Sequence, residues 1–313
     1  MITRRFFSLF TNLFFYRLIQ YLTYPTYQWL PEFSEVYSNL DLNDTMRKDS
    51  SLSIFEPISC TPENKLALII PYRNREEHLK LFLYYTLPTL IAQKSRFSVF
   101  LVEQKDAGLF NVGKLLNAGF IEARKISDFD CYIFHDIDLI KMNKHFPYKC
   151  DDKDIYHLSD NYNTNRFSPF TWRQRNYFDG VVALTEDMMT RSNGFSNYFY
   201  GIHGVYKEFD KRVAYRGYAI VKPKPSKLNL WWELEHKDVL KMDLRAKSFH
   251  SKVTKKVSEY GESLPGDGLK NINYRLAKTY VEPYGLFTKF SIDLRSPADF
   301  EEADFIIQDQ KIL

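Results

Sequence analysis

Leu66-Ala67-Leu68-Ile69-Ile70-Pro71-Tyr72-Arg73-Asn74-Arg75 is the stretch on which the reading of the fold turns. Five consecutive apolar residues stopped by a proline suit a strand buried on both faces, as in a parallel sheet. The segment from Glu76 to Gln93 has a helical pattern, which Pro88 is expected to kink or divide. Ser98-Val99-Phe100-Leu101-Val102 reads as a second strand. Val112 to Lys125 reads as an amphipathic helix with Leu115, Leu116, Phe120 and Ile121 on its apolar side, and Cys131-Tyr132-Ile133-Phe134 as a third strand. This β-α-β-α-β order predicts an α/β fold, a Rossmann-like, mostly parallel sheet flanked by helices. Ligands of such sheets bind beyond the carboxyl ends of the strands, which singles out Pro71–Arg75 and His135–Asp138.

Both places carry residues with suitable chemistry. Arg73 and Arg75 are two apart just past a strand and can point the same way toward a diphosphate. The alternative is a pair of solvated arginines at a helix entry. Asp136-Ile137-Asp138 follows the third strand directly, and alternate residues of an extended segment share a face. The two carboxylates can therefore converge on one hard cation, or serve as ordinary turn acids. The chain has no G-x-G-x-x-G, no G-x-x-x-x-G-K-[ST] and no G-x-S-x-G, so dinucleotide, P-loop and serine-elbow chemistry compete poorly.

The bulk composition fits one large α/β domain or two small ones. With 313 residues, 44% of them hydrophobic, the chain has ample material for a core and is not disordered as a whole. Its formal charge of +4 is mild and interspersed, with no long basic run to track a phosphate backbone, so nucleic acid is not an expected partner. At the N-terminus, Arg4 and Arg5 precede the apolar run Phe6 to Phe15, which Arg17 interrupts. A basic start before a short apolar core suggests a signal peptide or signal anchor and membrane association; an amphipathic helix lying on a membrane or on the domain itself is the alternative. Residues 31–64 are rich in Ser, Asn, Asp, Glu and Pro and read as a stem or linker. The three cysteines, Cys60, Cys131 and Cys150, are an odd count, which argues against a dense disulfide scaffold. Asn43-Asp44-Thr45 is a glycosylation acceptor if the chain enters the lumen.

A series of motifs in fixed order is more specific than any of these signals. Lys65 to Leu79 resembles the opening of the β-1,4-galactosyltransferase family, glycosyltransferase family 7. The similarity continues through Phe110-Asn111, Lys114-Leu115-Leu116-Asn117, Gly119-Phe120 and Phe134 to Ile140. It goes on through Gly180 to Thr185, Asn193-Gly194-Phe195 and Asp267-Gly268-Leu269, and covers roughly residues 57 to 293.

The resemblance implies a GT-A fold over residues 65–295, behind an anchor (1–30) and a stem (31–64) and before a tail (296–313). It also implies a place in the Golgi lumen and transfer of galactose or a related hexose from a UDP-sugar to terminal N-acetylglucosamine or another glycan acceptor. In that reading Pro71, Tyr72, Arg73, Asn74 and Arg75 line the uridine and diphosphate site, with Phe110 and Asn111 nearby. Asp136 and Ile137 touch the nucleotide, and Asp138 binds Mn²⁺ or Mg²⁺. The segment Trp231 to Asp238 matches the one that carries a ligand Met and His in the family, so Glu233 and His236 become the further metal ligands, with His250 as a fallback. A carboxylate in place of a thioether favours hard ions. The family disulfide falls on Cys131 and Cys150; the partner that the family gives Cys60 has no counterpart, so Cys60 is expected to be free or to pair with another molecule.

One loop departs from the family. Its Trp-Gly-Trp-Gly-Gly-Glu-Asp-Asp-Asp stretch is here Tyr200-Gly201-Ile202-His203-Gly204-Val205-Tyr206-Lys207-Glu208. The residues that hold the acceptor and take its proton have become Val205, Tyr206 and Lys207. A neutral phenol and a cation are not natural bases near neutral pH, which leaves Glu208 as the candidate catalytic residue, with Asp210 and His203 behind it. Two further functions remain open: a binding partner that holds UDP-sugar and metal with impaired turnover, and a UDP-sugar hydrolase.

Overall fold

The computed structural model describes residues 30–40, 42, 46–163, 173–174, 178–201, 204–222, 229–234, 248–254 and 266–309. In chain order the first strands are β1 (Met46–Asp49), β2 (Ile54–Pro57), β3 (Lys65–Tyr72), β4 (Arg96–Gln104), β5 (Cys131–His135), β6 (Leu139–Lys141) and β7 (Ile155–His157). They are followed by β8 (Asn161–Asn163), β9 (Arg173–Gln174), β10 (Val181–Thr185), β11 (Ile220–Val221), β12 (Leu230–Glu233), β13 (Arg275–Val281) and β14 (Thr288–Asp293). The helices are α1 (Phe33–Ser38), α2 (Glu76–Ala92), α3 (Val112–Ile126), α4 (Glu186–Arg191), α5 (Val205–Tyr215) and α6 (Phe300–Asp309).

One sheet runs β1-β2-β4-β3-β5-β10-β7-β11, with β14 paired to both β4 and β13; β6, β12, β8 and β9 make a second, smaller sheet. The expected strands are its centre: β3 is parallel to β4 and to β5. The parallel character ends there on one side, because β10 runs antiparallel to β5 and to β7. The architecture is thus α/β with a mixed sheet: β3, β4, β5 and β14 form a parallel centre, β1, β2, β10 and β13 pair antiparallel, and the short β11 is again parallel to β7.

The uninterrupted apolar run of β3 has a direct cause. Ala67 and Ile69 face one core with Leu115, Leu116 and Phe120 of α3. Leu66, Leu68 and Ile70 face the other with Leu79, Phe82 and Leu83 of α2. Both faces are covered by helices, so neither can be polar. Gly119 lets α3 approach closely: a Cβ there would stand 2.6 Å from methyls of both Ile69 and Val102. Pro88 does not divide α2, which runs from Glu76 to Ala92 with the proline inside it. The Thr89 hydroxyl donates to the Tyr85 carbonyl one turn earlier, at 3.1 Å.

The stretch expected to be a stem contributes to the sheet. β1 and β2 form an antiparallel pair, and Ile54 and Phe55 of β2 pair with Ser98 and Phe97 at the start of β4. β14 takes the same edge of β4 further along, from Phe100 to Gln104. Phe55 stacks on Phe97 with ring centroids 4.7 Å apart, so this apolar pair fixes a segment whose overall composition looks like linker. The C-terminal residues are also docked, since Ala303 of α6 is fully buried and Phe300 packs 5.4 Å from Phe249. Cys131 and Cys150 form the disulfide, and Cys60 is exposed and unbonded. No helix among the described residues is long and apolar enough to cross a membrane. The basic-apolar N-terminal run and Asn43–Thr45 lie outside the described residues.

Candidate active site

Strand register brings the two singled-out segments together. Ile69 of β3 pairs with Phe134 of β5, so Pro71, still paired with β4, and Asp136, each two residues on, come side by side at the carboxyl edge of the sheet. Neighbouring strands are about 4.8 Å apart, a distance that one diphosphate can bridge. The loop after β4, residues 105–111, leaves the same edge.

Arg73 is held across the mouth of that loop. Its Nη1 donates to the Gly108 carbonyl at 2.7 Å, and its guanidinium lies 4.8 Å from the centroid of the Phe110 ring. Burial lowers its basicity and the Asp106 carboxylate opposes the shift, but a guanidinium remains charged at any physiological pH. Asn74 takes a positive φ of 53°, which asparagine tolerates, and turns the chain into α2. Asn111 differs from expectation. It is fully buried and its amide is already used: Oδ1 accepts from Lys114 N at 2.9 Å as the cap of α3, and Nδ2 donates to the Asn197 carbonyl at 2.8 Å. It shapes the site from beneath and has little left to offer a nucleotide.

The Asp136–Asp138 turn is clamped at several points. Asp136 N donates to the Gly180 carbonyl at 3.0 Å, and Leu234 N donates to the Asp138 carbonyl at 2.7 Å. His135 Nδ1 lies 2.8 Å from the Asp136 carbonyl and Nε2 lies 3.1 Å from the Tyr148 hydroxyl. A carbonyl only accepts, so Nδ1 carries the proton and Nε2 accepts from Tyr148. Burial lowers the His135 pKa to about 3, which keeps the ring neutral and this arrangement fixed. The Ile137 side chain is buried in the α2-side core, so only its backbone is available to a ligand.

Residues suited to a hard cation gather beside this turn. Glu233 pairs with Leu139 in the β12–β6 ladder, next to Asp138, although ninety-odd residues of chain separate the two segments. The carboxylates of Asp138 and Glu233 are the donor type that Mn²⁺ and Mg²⁺ prefer. His236 lies outside the described residues, among which no group of three ligating side chains occurs. His250 turns elsewhere, with Nε2 on the Tyr200 carbonyl at 2.5 Å.

Glu208 is a correction. It lies on the inner face of α5, only 4% exposed, with Oε1 accepting from Arg212 Nε at 2.5 Å. Arg212 in turn donates to Asp267 Oδ2 at 2.9 Å and to the Gly194 carbonyl at 3.2 Å. A carboxylate committed to this internal ion cluster is not placed to meet an incoming hydroxyl. Tyr206 is the α5 residue that does reach the site, with its hydroxyl 3.4 Å from Asp136 Oδ1. Burial, with Asp136 adding to it, raises the Tyr206 pKa well above the ordinary phenol value, so it donates and does not act as a base. Asp210, the other acid weighed on this helix, is exposed, and His203 lies outside the described residues.

Sequence reasoning missed the groups that hold these loops. Gln104 Oε1 accepts from Asn111 N at 3.0 Å while its Nε2 donates to the Leu109 carbonyl at 3.0 Å, closing the loop that carries Phe110. Gly201 N donates to the Phe110 carbonyl at 2.6 Å and ties the altered loop to it. A lone glutamine at a strand end carries no sequence signal for such a role.

Known proteins match this arrangement. The N-terminal region of glycosyl transferase group 7 matches residues 31–151. β-1,4-Galactosyltransferase 1 of Bos taurus is 33% identical over 245 residues, 78% of this chain and 58% of the relative; the Homo sapiens enzyme gives the same figures. β-1,4-Galactosyltransferase 3 of Rattus norvegicus is 31% identical over 263 residues, 84% of this chain and 64% of the relative. The chain thus spans under two thirds of the length of these relatives. Among solved structures, the catalytic domain of Drosophila β1,4-galactosyltransferase 7 in complex with xylobiose superposes with a TM-score of 0.63 at 21% identity, covering 77% of this chain and 98% of that one. A mutant of that enzyme in complex with manganese, UDP-Gal and xylobiose gives 0.61. Sequence motifs, strand order and relatives agree: the chain has a GT-A-type fold and belongs to glycosyl transferase group 7, the β-1,4-galactosyltransferase family.

Proposed function

We propose that the chain transfers galactose or a related hexose, with inversion, from a UDP-sugar to a hydroxyl of a glycan acceptor such as terminal N-acetylglucosamine. Mn²⁺, or Mg²⁺, is its cofactor. The observation that carries this reading is the β3–β5 register, which sets Pro71–Arg75 beside Asp136–Asp138 at one edge of the sheet. Arg73, braced by Gly108 and Phe110, supplies fixed positive charge for the diphosphate. Asp138, Glu233 and His236 are the residues that would hold the cation, which supplies charge neutralisation as UDP leaves. Lumenal residence in the secretory pathway, at the Golgi, fits the Cys131–Cys150 disulfide, since such bonds persist in oxidising compartments.

A second reading is favoured by one observation. The acceptor hydroxyl must lose a proton as it attacks the sugar carbon, and a positioned base contributes roughly 10²–10⁴-fold to such a step. On α5 the residue at the site is the phenol of Tyr206, while Glu208 is buried in its ion cluster. A donor-binding member with little turnover, acting as a partner of other proteins, matches that geometry. Incubation of the purified chain with UDP-galactose, Mn²⁺ and N-acetylglucosamine or xyloside acceptors, read by mass spectrometry, separates the readings. A new disaccharide supports transfer. Bound but unchanged UDP-galactose supports the second reading, and free galactose without disaccharide supports hydrolysis. Absence of both binding and turnover with every UDP-hexose tried overturns all three.

A further inference from the structure

A concave site opens on the Tyr72 side of the β3–α2 turn. A cavity of about 330 Å³ lies between α1, the start of α2 and the tip of the β13–β14 hairpin. That volume is at the small end of ligand pockets, which run from about 300 to 1,000 Å³. Five of its lining residues are aromatic: Phe33, Tyr72, Tyr280, Tyr284 and Phe287. Tyr72 and Arg73 are neighbours whose side chains part. Arg73 goes to Gly108 and Phe110, whereas Tyr72 belongs to the apolar cluster on the α2 side.

The rings are braced before any ligand arrives. Tyr284 stacks on Tyr37 with centroids 5.6 Å apart, and Phe33 meets Phe287 edge-on at 5.9 Å. Lys48 lies 4.2 Å over the Tyr37 ring and also donates to the Tyr284 carbonyl. Preorganised walls of this kind lower the ordering cost of binding.

The wall carries two carboxylates, Glu76 and Glu282, and one ammonium, Lys289, each with a partner of opposite charge close by. Glu76 pairs with Lys80 at 3.3 Å, and Lys289 pairs with Glu103 at 3.1 Å. Glu282 is fixed by the backbone N–H groups of Tyr284 and Leu286, which donate to its Oε2 at 3.0 and 3.1 Å, and it attracts Lys48. A cationic ligand would find lysines already on the rings, as Lys80 is 5.5 Å from the Phe33 centroid. An anion would face the two carboxylates of Glu76 and Glu282. A neutral molecule with an apolar ring face and hydroxyls around its rim meets every feature: rings for the face, and carboxylates and an ammonium for the hydroxyls.

We propose that this cavity is an accessory saccharide site that takes one neutral pyranose unit. Its use, to hold a further unit of the acceptor glycan away from the reaction centre, rests on the transferase reading; the binding itself does not. Tyr284 is 39% exposed, so its replacement leaves the core intact. The test is saturation-transfer NMR on the whole chain without UDP, with xylobiose, chitobiose and N-acetyllactosamine as probes. Wild type, Tyr284→Phe and Asp138→Asn should bind at least one of them with similar affinity. Tyr284→Ala and Tyr280→Ala, with circular dichroism unchanged, should bind it about tenfold more weakly, the worth of one stacking ring. No transfer to any of the three sugars, or equal binding by the wild type and both alanine variants, overturns the proposal, as does preferential uptake of tetramethylammonium. Asp138→Asn is expected to lose Mn²⁺-dependent UDP binding alone, so a failed donor site and a failed saccharide site give different results.

Discussion

Tyr206 and Glu208 sit two residues apart on one helix and have opposite surroundings. Tyr206 turns to Asp136 across a long contact of 3.4 Å, and its ring packs 5.8 Å from Phe195. A hydrogen bond of that length is weak. Tyr206→Phe should therefore cost less than about 1 kcal/mol in urea unfolding, most of the residue's contribution being its ring. Glu208 is buried with Oε2 unpartnered, and burial, opposed by Arg212, pushes its pKa up to about 7. That is above the ordinary value of 4.5, so between those pH values the folded chain binds more protons at this site than the unfolded one. The stability that protonation contributes is present below about 4.5 and is lost as pH rises to about 7. Subtracting the Tm–pH profile of Glu208→Gln from that of the wild type should give a curve that falls across this window and is flat above it. The sequence pointed to Glu208 because only residue type is visible there; which face of α5 turns inward depends on Arg212 and Asp267, the latter 55 residues further on.

At the scale of elements, the parallel centre was readable because β3, β4 and β5 each carry an apolar run buried on both faces: Leu66–Ile70, Val99–Val102 and Cys131–Phe134. Of the helices between them, α3 was readable from its amphipathic pattern, with Leu115, Leu116 and Phe120 buried and Arg124 and Lys125 exposed. Short edge strands were not. β1 and β2 have four residues each and turn through Ser53 at a φ of 51°; β1 is polar but for the buried Met46, and the apolar Ile54-Phe55 of β2 is too short a run to stand out. Pro88 misled in the other direction, since the packing of α2 on the sheet outweighs the loss of one helical hydrogen bond. Gly119 carries a prediction of its own. Gly119→Ala places a methyl 2.6 Å from Ile69 and Val102 in a core without room, which should cost about 1–3 kcal/mol in the urea midpoint despite alanine's better helix propensity.

In the molecule as a whole, the candidate site is assembled by topology more than by local sequence. Arg73 and Asp138 stand out in the sequence because each follows a strand, whereas the internal hydrogen bonds of the Asn111 amide carry no sequence signal. The approach of Glu233 to Asp138 depends on a second sheet whose strands are too short to predict. The disulfide closes a separation of 19 residues between the start of β5 and the loop beyond β6. Cys150→Ser should lower stability by about 3 kcal/mol, the loop-closure value for a span of this order, with a matching fall in Tm under reducing conditions. The central claim is that one edge of the sheet holds a cation-bridged pyrophosphate between Arg73 and Asp138. Calorimetric titration of UDP into the whole chain, with Mn²⁺ and again with chelator, addresses it directly. Binding is expected to weaken by at least about tenfold with the chelator, in Asp138→Asn and in Arg73→Met; equal affinity under all four conditions would rule out a cation-dependent pyrophosphate site here.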